Sequence, residues 1–324
     1  TWDGDTNNNS TVGDGGDTIN WKDAGNWDLD VQPGATHDVV IDGANVVINT
    51  NVGTVNSVTL TNGATLTISG GGSLTIAADS TADATSGLTV AGGGLKIDAD
   101  ASLTLNGTDN NWRGGTIGGA GSIDIASGSS FDIEGSVGNR TLTGTINNSG
   151  TTTLNMTGFE FRINDGGVFN NLAGATFDIT SASLLYSNIG NSSGEGTFNN
   201  FGSVTRSVGT ARTTFASGVD FVSTDGSVDA GAATVRIFNG TYNGTLTSTG
   251  DVNLRGTQQF NSADLVGDIG WTGGTITGTL NVLAGSTLAI EGSGADRNLT
   301  GTINNSGTTV LNMTGFEFRI NDGG

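Results

Sequence analysis

Apolar residues recur along this chain in pairs two positions apart. Leu66-Thr67-Ile68, Leu74-Thr75-Ile76, Leu103-Thr104-Leu105, Ile123-Asp124-Ile125, Phe131-Asp132-Ile133 and Phe177-Asp178-Ile179 each set a polar residue between two apolar ones. That is the period of a strand with one buried face. Neighbouring triplets are separated by short gaps of Gly, Ser, Asn or Asp, the residues that turn a chain sharply. No stretch keeps a helical period, and Lys, Glu, Gln and Met are scarce, so almost no helix is expected.

A longer period overlies the first. An apolar residue followed by two asparagines occurs at Ile146-Asn147-Asn148, Phe169-Asn170-Asn171, Phe198-Asn199-Asn200 and Ile303-Asn304-Asn305. Ile123, Ile146 and Phe169 fall at one constant interval; Phe198 follows after a longer step, and Phe221 after the first interval again. Three short strands, each closed by a turn, make one circuit of a parallel β-helix. The chain therefore predicts an all-β solenoid of about 12 coils at about 23 residues per coil, with strand amides pairing between coils. The asparagines Asn147, Asn148, Asn170, Asn171, Asn199, Asn200, Asn304 and Asn305 are expected as turn residues that tolerate left-handed backbone and hydrogen-bond to stacked counterparts as a structural ladder.

One stretch is written twice. Residues 141–167 and 298–324 differ only at Thr141 against Asn298 and Thr153 against Val310, and weaker similarity extends the match to 112–167 against 271–324. Residues 1–40 stand apart, holding Trp2, Trp21 and Trp27, the only proline and the only histidine. They are expected as an N-terminal cap on a β-helix of residues 41–324, because a solenoid end exposes strand edges and core. Residues 184–196 and 255–270 break the rhythm and are expected as loops. The first copy runs from Gly167 into Val168-Phe169-Asn170-Asn171, whereas the second stops at Gly324, so a C-terminus truncated within a repeat is expected.

Charge narrows the partners. Eleven basic and 31 acidic residues give a formal charge of −20, which disfavours nucleic acid and anionic membrane. No apolar run approaches the length of a membrane span, so membrane insertion is not expected of this stretch. There is no cysteine, which removes disulfides and thiol chemistry together.

The phrase Phe198-Asn199-Asn200-Phe201-Gly202-Ser203-Val204, the Asn148-Ser149-Gly150 turn and the Leu-Thr-Ile steps resemble secreted bacterial β-helix repeat proteins, namely autotransporter passengers and filamentous-haemagglutinin-like adhesins. The opening from Trp21 through Asn26-Trp27 and Pro33-Gly34 to Asp38-Val39-Val40-Ile41 is similar to the start of such repeat regions. The resemblance implies a right-handed parallel β-helix, secreted to the bacterial cell surface as a fibre, stalk, adhesin or matrix component. Its partners would be itself, by end-to-end or lateral assembly, other surface or matrix components, or glycans.

Candidate chemistry is sparse. Asp3, Asp5, Asn7 and Asp14 fall at positions 1, 3, 5 and 12 of a calcium-loop spacing, although Asn8 replaces the glycine and Asp14 the longer glutamate. No cofactor is required by the pattern, and Ca2+ is the one ion it suits. The outward acids Asp98, Asp100, Asp124, Asp132, Glu134 and Asp178 form no compact cluster beside a base along the sequence. Asp132 moreover becomes Ala289 in the second copy while Glu134 recurs as Glu291. Glu160 with Arg162, and their repeats Glu317 with Arg319, are expected as exposed ion pairs and as lateral contact points. His37 has no nucleophile arrangement near it. Thr59, Thr67, Thr75, Thr89 and Thr104 face outward but give way to acids later. The expectation is an extracellular structural or adhesive solenoid rather than an enzyme. A polysaccharide-binding or polysaccharide-degrading β-helix is the alternative, with Trp112 and Trp271 its discriminating side chains, and an ice-binding solenoid is the second.

Overall fold

The computed structural model describes residues 1–2, 19–181, 187–190 and 195–321. It is a parallel β-solenoid of about 12 turns, with successive turns about 22 residues apart. Among the described residues the one helical element is a short 3-10 turn, Ala24–Asn26, capped by the Asp23 side chain. The chain divides into two compact units, Thr1–Thr153 and Leu154–Gly324.

In the first unit three columns of strands stack in parallel. Ile41, Leu60, Ala82, Leu105 and Ile125 lie one above another in register. A second column runs Ile48, Ile68, Val90, Trp112 and Ile133, and a third runs Leu74, Leu95, Ile117 and Leu142. All of these residues are buried. The alternation in strands such as Thr65–Ser69 sends Leu66 and Ile68 inward and leaves Thr67 part-exposed. Each buried aliphatic side chain contributes about 1.5–3 kcal/mol, so the stack is held by repetition.

The second unit repeats the scheme with aromatic residues. Phe169, Phe198 and Phe221 stack in register, and Phe161, Ile189, Phe215 and Ile237 form the neighbouring column. The spacing is not uniform. More chain separates Phe169 from its partner Phe198 than separates Thr257 from its partner Thr275.

Residues 255–270 are not a loop. They belong to one long strand path, Ser227–Trp271, and pair with Gly274–Val282 and Thr287–Gly292. The chain turns its corners there abruptly, at Ser262 (φ 55°) and Gly267 (φ 98°), instead of through a separate turn. This is the tight coil that a period search sees as a break. Of the other expected loop, residues 187–190 form a strand that pairs with Glu160–Ile163 and Thr213–Phe215, and residues 191–194 lie outside the described residues.

Near the N-terminus Trp27 packs edge-on against both Trp2 and Trp21, each at 4.9 Å between ring centres. All three are buried. Trp2 N donates to Val40 O at 2.9 Å and Trp21 N to Val47 O at 3.0 Å, while Val47 N donates to Ile19 O at 2.7 Å. These bonds occupy edges of the strands Asp38–Asp42 and Asn45–Ile48.

Candidate functional site

The outward polar positions are largely occupied by bonds between coils. Asn199 donates to Asn170 at 2.8 Å, Asn147 to Asp124 at 2.7 Å, and Asn304 to Asn281 at 2.8 Å, which in turn donates to Asp264 at 2.8 Å. The second asparagine of each internal pair points inward. Asn148, Asn171 and Asn200 are wholly buried, and Asn171 donates to Asn200 at 2.9 Å. Asn305 is exposed and accepts from Gly307 N at 3.2 Å. Asn148 likewise accepts from Gly150 N at 3.1 Å, a turn bond like that of Asn305, but none of the eight asparagines takes the left-handed backbone expected of them. The pairs close strands such as Val168–Asn171 and Gly196–Asn200 in extended backbone. Asn62, Asp100, Asp165 and Asp225 take the left-handed conformations instead. An inward amide at a strand end reaches the carbonyls of the adjoining corner, as Asn171 does with Ser203 O at 3.0 Å and Asn200 with Ser227 O at 3.1 Å.

Most of the acids singled out in the sequence have local partners. Asp98 pairs with Lys96 at 2.8 Å, and Asp178 accepts from Thr205 at 3.0 Å and Ser207 at 2.8 Å. Glu160 meets Arg162 at 2.9 Å and Glu317 meets Arg319 at 2.8 Å. Arg319 also reaches Asp296 at 2.9 Å, where the first copy carries Asn139. His37 accepts from Gly34 N at 3.0 Å within its own turn. Among the described residues no group of three His, Cys, Asp or Glu is placed to hold a metal ion. Asp3, Asp5, Asn7 and Asp14 lie outside the described residues.

One acid cluster does exist, contrary to the expectation from spacing alone. Strand Ser130–Gly135 turns Asp132 and Glu134 to the same outer face, and parallel register sets Asn111 opposite Asp132 and Trp112 opposite Ile133. Asn111 donates to Asp109 at 3.0 Å, and Arg113 Nε donates to Glu134 Oε1 at 2.9 Å. Burial raises the Asp132 pKa, a hydrogen bond with Thr153 opposes that, and the carboxylates of Glu134 and Asp109 push it further up. Two carboxyl groups thus share one outer face in unlike settings, Asp132 partly buried with its pKa raised and Glu134 paired with a guanidinium. Acid–base catalysis on a glycosidic bond uses paired carboxyl groups of this kind. The second copy lacks it. Gly270 and Ala289 stand opposite each other there, in place of Asn111 and Asp132. The grouping joins residues a full coil apart, so a linear search does not find it.

Two arginines also escaped the sequence pattern. Arg140 and Arg297 occupy equivalent places just ahead of the duplicated stretch, and both are wholly buried. Arg140 donates to the backbone carbonyls of Glu134 and Gly138, and more weakly to Val137 at 3.4 Å. Arg297 donates to those of Glu291 and Ala295. Burial lowers the pKa of both. Each guanidinium closes a loop onto its own strand, and Arg140 thereby anchors the backbone that carries Glu134. Their recurrence at the same offset as the repeat was the available signal.

A shallow groove of about 390 Å³ lies on the first unit, lined by Thr75, Gly94, Lys96, Thr116, Gly118 and Thr143. Trp112 and Trp271 are not on any surface; both are wholly buried, and Trp112 Nε1 donates to Gly114 O at 3.1 Å. No protein-family model, curated protein or solved structure matches this chain. The architecture and its side chains are therefore the basis for function. No helix among the described residues is long and apolar enough to cross a membrane.

Proposed function

We propose that the chain is an extracellular structural or adhesive β-solenoid, serving as a surface fibre, stalk or matrix element. The observation that supports this best is the location of its large aromatics. Trp112, Trp271 and Tyr242 are wholly buried, where they brace the stack instead of forming a platform for sugar rings. Ladder bonds and ion pairs occupy many of the outward polar groups, and the excess of acids keeps neighbouring molecules apart until a cation or partner bridges them. Export to the bacterial surface rests on the resemblance of the repeat motifs. The repeated pairs Glu160–Arg162 and Glu317–Arg319 are the lateral contact points in this picture.

The experiment is to immobilise the chain, present polysaccharides and matrix proteins, and measure both retention and reducing-end release. Retention or fibre formation without product supports a structural or adhesive role. Product release that disappears in Asp132→Asn or Glu134→Gln would overturn it.

That second outcome belongs to a polysaccharide-active protein, which the Asp132–Glu134–Arg113 grouping and the Thr- and Lys-lined groove favour. Ice binding has less behind it. The outward column Thr59, Thr81, Thr104 ends at Asp124, and Thr67–Thr89 ends at Asn111.

A further inference from the structure

In the first unit, the column of strands that buries Leu74, Leu95, Ile117 and Leu142 leaves gaps on its outer face. Parallel register sets Ser73 opposite Gly94, Gly94 opposite Thr116, and Thr116 opposite Thr141. Beside them Thr75 faces Lys96 and Lys96 faces Gly118. Gly94 and Gly118 thus remove side chains from neighbouring coils, and the groove of about 390 Å³ opens there. Four successive coils line it, so it crosses the strands and follows the stacking direction.

The glycines are there for different reasons. A Cβ on Gly118 would press on the Thr143 hydroxyl at 2.5 Å, and one on Gly119, at φ 104°, would collide with the Ile97 carbonyl. Gly94 is under neither constraint. It lies within the strand Gly87–Ile97, takes no positive φ, and a Cβ there would touch only Ser73 Cβ, at an ordinary 3.7 Å. Glycine inside a strand weakens it, and its usual reasons are a bulge or the close approach of a backbone or a ligand. The register shift in this coil falls before Gly94, and residues 94–97 pair evenly with 73–76. With no backbone near that position either, a ligand is the reason that remains.

The surroundings select a neutral sugar. Hydroxyls of Ser73, Thr75, Thr116 and Thr143 rim the floor that Gly94 leaves bare. Lys96 is the only ionisable residue in the lining, and it is already paired with Asp98 at 2.8 Å. That pair brings no net charge, and the chain's formal charge of −20 repels polyanions. Coils repeat at about 4.8 Å, close to the length of one unit in an extended β-linked hexose chain. Hydroxyls on successive coils therefore fall in step with successive sugars. We propose that the groove binds a neutral β-linked glycan laid across the coils, one ring resting its C–H face over Gly94. Its hydroxyls bond to the threonines and to the Lys96–Asp98 pair. The inference rests on the adhesive reading and deepens it by assigning the site of glycan contact.

The test uses the full chain and end-labelled hexasaccharides of β-linked glucose, mannose and N-acetylglucosamine, followed by fluorescence anisotropy, with hexagalacturonate as the anionic control. Saturable binding of at least one neutral hexasaccharide is expected, with hexagalacturonate weaker by about tenfold or more. Gly94→Thr fills the floor and should weaken binding by about tenfold or more. Its melting should be unchanged or raised, because a β-branched residue suits the strand. Thr116→Val keeps the branch, loses the hydroxyl and should weaken binding by about threefold or more. Thr59→Val, outward on another column, should leave it unaltered. Failure of every neutral hexasaccharide to bind, equal binding of hexagalacturonate, or full binding by Gly94→Thr would overturn the proposal. So would a lower melting temperature for Gly94→Thr, because the glycine would then serve the fold. Retention of matrix proteins by a chain that binds no hexasaccharide would overturn the groove and spare the adhesive reading. A bound hexasaccharide recovered cleaved would overturn that reading and leave the groove standing.

Discussion

Replacing Phe198 by alanine removes the centre of an aromatic stack. Its ring is wholly buried, parallel to Phe169 at 5.1 Å and to Phe221 at 5.8 Å, and edge-on to Phe177 at 5.0 Å and Phe215 at 5.1 Å. Truncating a buried Phe costs about 3–5 kcal/mol, and the lost ring pairs place this site at the upper end of that range. In a compact globule such a loss would spread over the whole molecule. In a solenoid each coil is stabilised by its neighbours, so the loss should stay local. Hydrogen exchange followed by mass spectrometry reads this directly. Amides in Val168–Asn171, Gly196–Asn200 and Val219–Thr224 should exchange about a hundred- to several-thousandfold faster, the factor equivalent to about 3–5 kcal/mol. Amides in Asp38–Asp42 and Thr65–Ser69 should be unchanged. Equal acceleration along the entire chain would refute coil-by-coil stability, and no acceleration would refute the packing that the rings show.

Other perturbations follow from the site. Asp132 binds its proton more tightly when folded than its ordinary value of 3.8 allows, so its ionisation opposes folding and stability falls as pH rises from that value through the raised one. Asp132→Asn should match the wild type in urea midpoint at low pH and exceed it at neutral pH; a gap that is constant or reversed would contradict the assignment. Arg140→Leu strands the carbonyls of Glu134 and Gly138 and should cost about 3 kcal/mol in thermal or urea unfolding. Arg140→Lys should restore little of this, because an ammonium cannot reproduce the planar fork. Glu160→Gln breaks a half-exposed ion pair and should change stability by less than about 1 kcal/mol, with a larger effect on any lateral assembly measured by light scattering at low salt.

Much of the fold could be read from particular residues. Leu66-Thr67-Ile68 and Phe177-Asp178-Ile179 announce strands with one buried face, and the Asn-Asn landmarks announce the stacking repeat. The structure bears these out, down to the register of Phe169 with Phe198 and Phe198 with Phe221. The misjudged segment, 255–270, failed for a definable reason. Its corners turn abruptly at single residues such as Ser262 and Gly267, and the coil is shorter than the one that pairs Phe169 with Phe198, so the expected turn clusters are missing. Arg140 was overlooked because an arginine in a polar, glycine-rich stretch ordinarily faces water, whereas here the loop carbonyls wrap around it.

Periodicity of side-chain polarity, a property local to a few residues, determined that this chain forms strands, that they stack in parallel and that aliphatic and aromatic residues fill the interior. Opposition between distant residues was decided only in three dimensions. Asn111 faces Asp132 and Arg113 reaches Glu134 because each corner consumes a particular length of chain. Glycine- and serine-rich corners accept several such lengths at similar energy, and a slip of a single position in register would bring different side chains together.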